Sequence, residues 1–128
     1  MLFSVTYYDK KVKLYKSRYP IYSPHILSYS NIDNEITIYK YIADDDELFE
    51  LASISKDHQI YHLFNIHEDS PGIDHIGIVN YISGLFTKQN IPILYINTYS
   101  YNLILVQESF IEKALLILQN NKSIIFNN

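Results

Sequence analysis

From about Asp74 the chain takes on a helical rhythm. Ile76, Val79, Ile82 and Phe86 form one apolar stripe, widened by Ile78 and Leu85. That spacing predicts an amphipathic helix ended by Gln89-Asn90. Ile91 to Ile96 is apolar on both faces, as expected of a strand covered on both sides. Asn97-Thr98-Tyr99-Ser100 makes a turn, and Leu103 to Val106 returns as a second strand. A further helix turns Phe110, Ala114, Leu115 and Leu118 toward a core, and Lys122 to Phe126 adds a last strand. With Ile60 to Ile66 as a strand ahead of the loop Glu68 to Gly72, the second half reads β-α-β-β-α-β, the ferredoxin-like order.

The first half is richer in strands. Phe3 to Tyr8 and Val12 to Tyr15 are β-like, with a turn around Asp9-Lys10. Ser23 as N-cap and Pro24 at the first helical position predict the start of a short helix. Ile26 to Ser30 is too short to decide between strand and helix, and Asn31 to Asn34 is a turn. Glu35 to Ile42 alternates at period two, the pattern of a half-buried strand. Asp44-Asp45-Asp46 precedes a helical turn at Glu47 to Leu51, where the free N–H groups of a helix start favour acidic residues. These are the elements of the second half in degraded form, without a strong internal repeat. The expected fold class is α+β: tandem ferredoxin-like βαββαβ modules with antiparallel sheets. The N-terminal module is degenerate and covers residues 1–56, and the C-terminal module covers residues 57–128.

Composition narrows the function classes. Apolar residues make up 48% of the 128-residue chain, enough for a real core. The formal net charge is −4, and the basic residues Lys10, Lys11, Lys13, Lys16 and Arg18 make no run that would grip nucleic acid. No cysteine is present, which removes disulfides, thiolate metal sites and thiol nucleophiles and fits a reducing, cytoplasmic setting. No signal peptide and no bilayer-length apolar run is seen, so no membrane partner is expected. His58, His62, His67 and His75 lie close in sequence, but a strand puts His62 and His67 on opposite faces, and no zinc-type spacing appears. Asp44 to Asp46 lacks the glycine and downstream spacing of a calcium loop. Thr98 and Ser100 have no local base or oxyanion donors. The reading is therefore non-enzymatic, with no cofactor and no metal.

Three segments of the second half resemble the aspartokinase-like ACT domains, nearest to short two-ACT proteins and the CASTOR-type arginine sensors. Asp74-His75-Ile76-Gly77-Ile78-Val79 resembles the family's loop-to-helix junction, and Gln89-Asn90-Ile91-Pro92-Ile93 the passage from first helix to second strand. Ile96-Asn97-Thr98-Tyr99-Ser100-Tyr101-Asn102-Leu103-Ile104-Leu105-Val106 looks like the strand-turn-strand form I-S-T-[YF]-x-x-D-[YFH]-x-L-V. Val5 to Lys16 and Glu35 to Leu51 resemble the N-terminal module more loosely. The resemblance implies a ligand held between two modules. Carried over, the site is Gly72, His75, Gly77, Ile78, Val79, Thr98, Tyr99 and Asn102, with Pro92 and Ile93 from a facing module. Amides at a helix start favour a carboxylate, and a glycine there admits close approach.

The chain departs from the arginine sensors at two carboxylates. His75 stands where they carry an acidic loop residue, and Asn102 where they carry the strand Asp. An unpaired guanidinium is costly to desolvate, so a neutral or acidic amino acid fits better than arginine. The expectation is a regulatory domain that binds an amino acid or similar small molecule, acts as a homodimer and signals to a protein partner. The competing reading is an oligomerisation module with a vestigial site.

Overall fold

A computed structural model describes residues 3–67 and 75–128. The chain divides into two compact units, Met1–Asp9 with His62–Asn128, and Lys10–Tyr61. Strand β1 (Phe3–Ser17) contributes to both.

In the unit Lys10–Tyr61, β1 is followed by β2 (Ile26–Ile32), β3 (Glu35–Tyr41), helix α1 (Asp46–Ala52) and the short β4 (Ser55–Lys56). The strand order is β2-β3-β1, with β4 on the opposite edge of β1. Tyr15 and Lys16 pair antiparallel with Ile38 and Thr37 on one side and with Lys56 and Ser55 on the other. Within the unit this is the ferredoxin-like arrangement, in which the last strand lies beside the first. Asp33 and Asn34, at φ 52° and 63°, form the two-residue turn between β2 and β3, a left-handed conformation that Asn and Asp tolerate. Tyr15, Ile36, Ile38 and Phe49 form its core.

Two expectations for this region need correction. Ser23-Pro24 starts no helix. Ser23 Oγ does accept the His25 N–H at 3.1 Å, as a cap would, but its hydroxyl donates to Asp45 at 2.5 Å and the chain turns directly into β2. The predicted turn at Asp9-Lys10 is also absent. β1 runs on because its early residues pair with one set of strands and its later residues with another. Ile26 to Ser30, undecided in sequence, is strand.

The other unit contains β5 (Tyr61–His67), α2 (His75–Lys88), β6 (Ile93–Asn97), β7 (Asn102–Gln107), a 3-10 turn at Glu108–Phe110, α3 (Ile111–Gln119) and β8 (Ile124–Asn127). This is the predicted β-α-β-β-α-β order. β6 and β7 are antiparallel, from Ile93↔Val106 to Asn97↔Asn102. β1 neighbours β5 and also pairs parallel with β8, Phe3↔Ile124 to Thr6↔Asn127, so the N-terminal strand stands between the first and last strands of the ferredoxin-like set. The core collects Phe3, Val5, Phe64, Ile66, Ile104, Val106 and Ile124 from the strands. The helices add Ile78, Ile82 and Phe86 at i, i+4 and i+8, together with Ala114 and Leu118. Among the described residues no helix is long and apolar enough to cross a membrane.

Candidate functional site

The β6–β7 turn and the start of α2 are the two described parts of the candidate site. The turn closes on itself. Thr98 N–H donates to the Tyr101 carbonyl at 2.9 Å, and Thr98 Oγ1 accepts the Tyr101 N–H at 3.0 Å. The Thr98 hydroxyl donates back to the Tyr101 carbonyl at 3.3 Å. Tyr99 extends from the tip fully exposed, and Tyr101 is half exposed.

Asn102 begins β7 and is tied to β5. Its N–H donates to Asn65 Oδ1 at 3.1 Å. Asn65 is 2% exposed, and its Nδ2 donates to His67 Nε2 at 3.3 Å and to the Tyr8 hydroxyl at 3.4 Å. Thr6 Oγ1 lies 3.0 Å from the same His67 nitrogen. This network fixes the start of β7 beside the end of β5, from which the chain leads into α2. The Asn102 side-chain oxygen is engaged as well. It accepts the Tyr95 hydroxyl at 3.5 Å and, with the Asn97 amide turned to face it, the Asn97 nitrogen at 2.7 Å. What Asn102 has left to offer a ligand is its Nδ2 donor.

Replacing Asn65 with alanine leaves the Asn102 N–H without its acceptor, at an expected cost of about 1–3 kcal/mol. Urea unfolding should register the loss, and hydrogen exchange should quicken at Asn102.

α2 begins at His75, whose side chain, like Gly72, lies outside the described residues. In a helix starting there the unpaired first-turn N–H groups end at about Gly77, while those of Ile78 and Val79 enter the helical ladder. Gly77 is partly exposed. Ile78 is 1% exposed and packs in the core, so only its backbone can belong to a site. Val79 is half-buried, Pro92 is exposed, and Ile93 packs partly against the core.

Three other polar groups lie outside the predicted site. His62, on the core face of β5, has both ring nitrogens engaged: Nδ1 lies 2.7 Å from the Tyr7 hydroxyl and Nε2 3.4 Å from Glu108 Oε1. His67 lies on the opposite face in the Asn65 network, as the odd spacing predicts. Lys40 has no exposed surface; its ammonium meets Asp45 Oδ1 at 2.6 Å, Asp46 Oδ1, and the Tyr41 carbonyl at 3.0 Å. Burial alone would lower the Lys40 pKa, but the hydrogen bonds it donates to Asp45 and Asp46 outweigh it and raise the value. The alternation that turns Ile36 and Ile38 inward also turns Lys40 inward, and the run of aspartates just beyond it signals the partner. Two of the three aspartates are thus committed to a lysine.

Residues 61–120 match the family model of the ACT domain. The matched segment holds β5, α2, the β6–β7 hairpin and α3. Among curated proteins no sequence matches the chain. The fold is similar to that of the protein Atu0741 from Agrobacterium tumefaciens, with a TM-score of 0.72 at 16% identity over 100% of this chain and 96% of that one. It is also similar to VC0802 from Vibrio cholerae, described as a protein of unknown function and possible transport protein. There the TM-score is 0.73 at 12% identity over 91% and 88% of the two chains. The aspartate kinase of Clostridium acetobutylicum, an allosteric enzyme, matches with a TM-score of 0.63 at 14% identity, over 87% of this chain and 32% of the kinase. Identities this low establish the fold alone.

Proposed function

We propose that the chain is a non-enzymatic cytoplasmic regulator whose ACT segment binds an amino acid or similar small molecule and reports it through protein contacts. The observation that carries this reading is the buried Asn65 network, which holds the first residue of β7 at the end of β5 within an ACT-matching segment. In it, the Gly77 N–H receives the ligand carboxylate, the Asn102 Nδ2 donates a second hydrogen bond, and the Tyr99 ring covers the aliphatic part. Gly72, His75, Thr98 and the backbone of Ile78 and Val79 shape the surroundings. Pro92 and Ile93 belong to the facing module. The unit Lys10–Tyr61, with its last strand beside its first, supports its reading as a diverged second module lacking one helix. A homodimer is the working assembly.

Neutral or acidic amino acids are favoured over arginine, because His75 and Asn102 bring no fixed negative charge. Calorimetric titration with arginine, glutamate and a neutral aliphatic amino acid tests this. Gly77→Leu should abolish binding by blocking close approach, and Asn102→Asp should shift preference toward the cationic ligand. Unchanged affinities in both variants would place the ligand elsewhere. A second reading, an oligomerisation module with a vestigial site, draws on the self-satisfied Thr98 hydroxyl and the wholly exposed Tyr99. It predicts no binding by any of the three proteins.

A further inference from the structure

The sheet of the unit Lys10–Tyr61 has two unlike faces. Tyr15, Ile36 and Ile38 pack on one of them with Phe49 of α1. Alternation puts Lys16, Glu35 and Thr37 on the other. There a row crosses four strands. Lys16 is paired with Thr37 on one side and with Ser55 on the other, and Thr37 is paired with Ser30. A cavity of about 350 Å³ opens beside this row, lined by Lys16, Arg18, Asp33, Asn34 and Glu35. That volume falls in the range of small-molecule sites. A second hollow of about 290 Å³ shares Asp33 and Glu35 with it and adds Ser30, Ile32 and Thr37.

The charges of the cavity are only half matched. Lys16 Nζ lies 3.6 Å from Glu35 Oε2, so those two neutralise each other. Arg18 and Asp33 have no side-chain partner among the described residues. Asp33 is placed by the β2–β3 turn, where its φ is 52°. The cavity thus offers one guanidinium fork and one carboxylate, both unengaged. The side chains of Ser30 and Thr37 are also unengaged, and Ile32, 69% exposed, supplies apolar surface beside them. A lone anion would meet Asp33 as well as Arg18, and a lone cation the reverse. A molecule that carries both charges satisfies each and leaves the net charge of the cavity unchanged.

We propose that this cavity is a second binding site, for an amino-acid-sized zwitterion with an aliphatic arm. The Arg18 guanidinium takes the carboxylate, Asp33 takes the ammonium, and Ile32 covers the arm. The site lies wholly within the unit Lys10–Tyr61. It goes beyond the site around Gly77 and does not depend on it.

A 15N amide titration of the full chain with leucine tests the proposal, because each site reports through its own amides. Leucine should shift the Asn34, Glu35 and Thr37 amides whether or not Gly77 moves. Arg18→Gln and Asp33→Asn should each weaken this response about tenfold or more, the loss of one charge-assisted contact. Arg18 is exposed, and asparagine tolerates the left-handed backbone at position 33, so both variants keep the fold. Two derivatives separate the ends of the ligand. N-acetylleucine lacks the ammonium and should bind more weakly than leucine, with no response to Asp33→Asn. Leucinamide lacks the carboxylate and should also bind more weakly, with no response to Arg18→Gln. Shifts at Gly77 with none from Asn34 to Thr37 overturn the second site and leave the first. Shifts from Asn34 to Thr37 that neither substitution weakens, or that both derivatives reproduce at full strength, overturn it as well.

Discussion

Replacing Lys40 with methionine should destabilise the protein by about 3–5 kcal/mol, the cost of breaking a buried ion pair from one side. The ammonium has no exposed surface and touches both Asp45 and Asp46. It also lies 5.6 Å from the Phe49 ring centroid. Methionine fills the stem's volume but takes the Lys40 ammonium from Asp45 and leaves Asp46 with Lys13 at 4.0 Å. Removing those charges as well, by Asp45→Asn and Asp46→Asn in the methionine background, should recover part of the loss, because the residues act as a unit. Urea midpoints of the single and combined variants measure both effects.

The same cluster sets an acid limit. Hydrogen bonds from Lys40 and then Ser23 hold the Asp45 carboxyl below its ordinary value of 3.8. A carboxyl depressed in the folded state adds stability above its unfolded pKa, and that stability is lost as the pH falls through the lowered value. Wild-type stability should therefore decline below about pH 3.8, and Lys40→Met should flatten that part of the profile.

Phe86→Ala should cost about 3–5 kcal/mol, the range for emptying a buried aromatic site. Phe86 is 1% exposed and completes the stripe begun by Ile78 and Ile82. Its neighbours come from several strands and from α3, which cannot all collapse into the space. Phe86→Leu keeps much of the volume and should cost markedly less. Thermal melts followed by circular dichroism compare the two. Because α2 also carries Gly77, Phe86→Ala should weaken ligand binding through the helix rather than through any contact.

The elements around Phe86 were legible because period and burial agree there. Helical spacing marked α2 and α3; continuous apolarity marked β6 as a strand but predicted it covered on both sides, whereas it ends the strand order with none of its residues buried. Ile78 rather than Val79 anchors the inward stripe, a shift that spacing alone does not resolve when both are apolar. β1 was read as two strands because Asp9-Lys10 looks like a turn. They are exposed residues of one strand between its segment paired with β8 and its segment paired with β3, and distant partners leave no local mark. Ser23-Pro24 carried a true cap hydrogen bond, but Asp45 took the serine hydroxyl and strand pairing took the residues beyond. At the candidate site the turn was legible from its asparagines. Asn65 was not, because a single polar residue in an apolar strand has no pattern, and only the fold brings it to Asn102.

The most direct test of the proposed carboxylate-binding site is a 15N amide titration of the full chain with single amino acids. The chain has only 3 glycines, so the Gly77 resonance is readily assigned. The account predicts that a neutral or acidic amino acid shifts the Gly77 backbone amide and the Asn102 side-chain amide most, with arginine shifting them least. Spectra unmoved by the whole amino-acid panel, or shifts confined to residues remote from both, would contradict it.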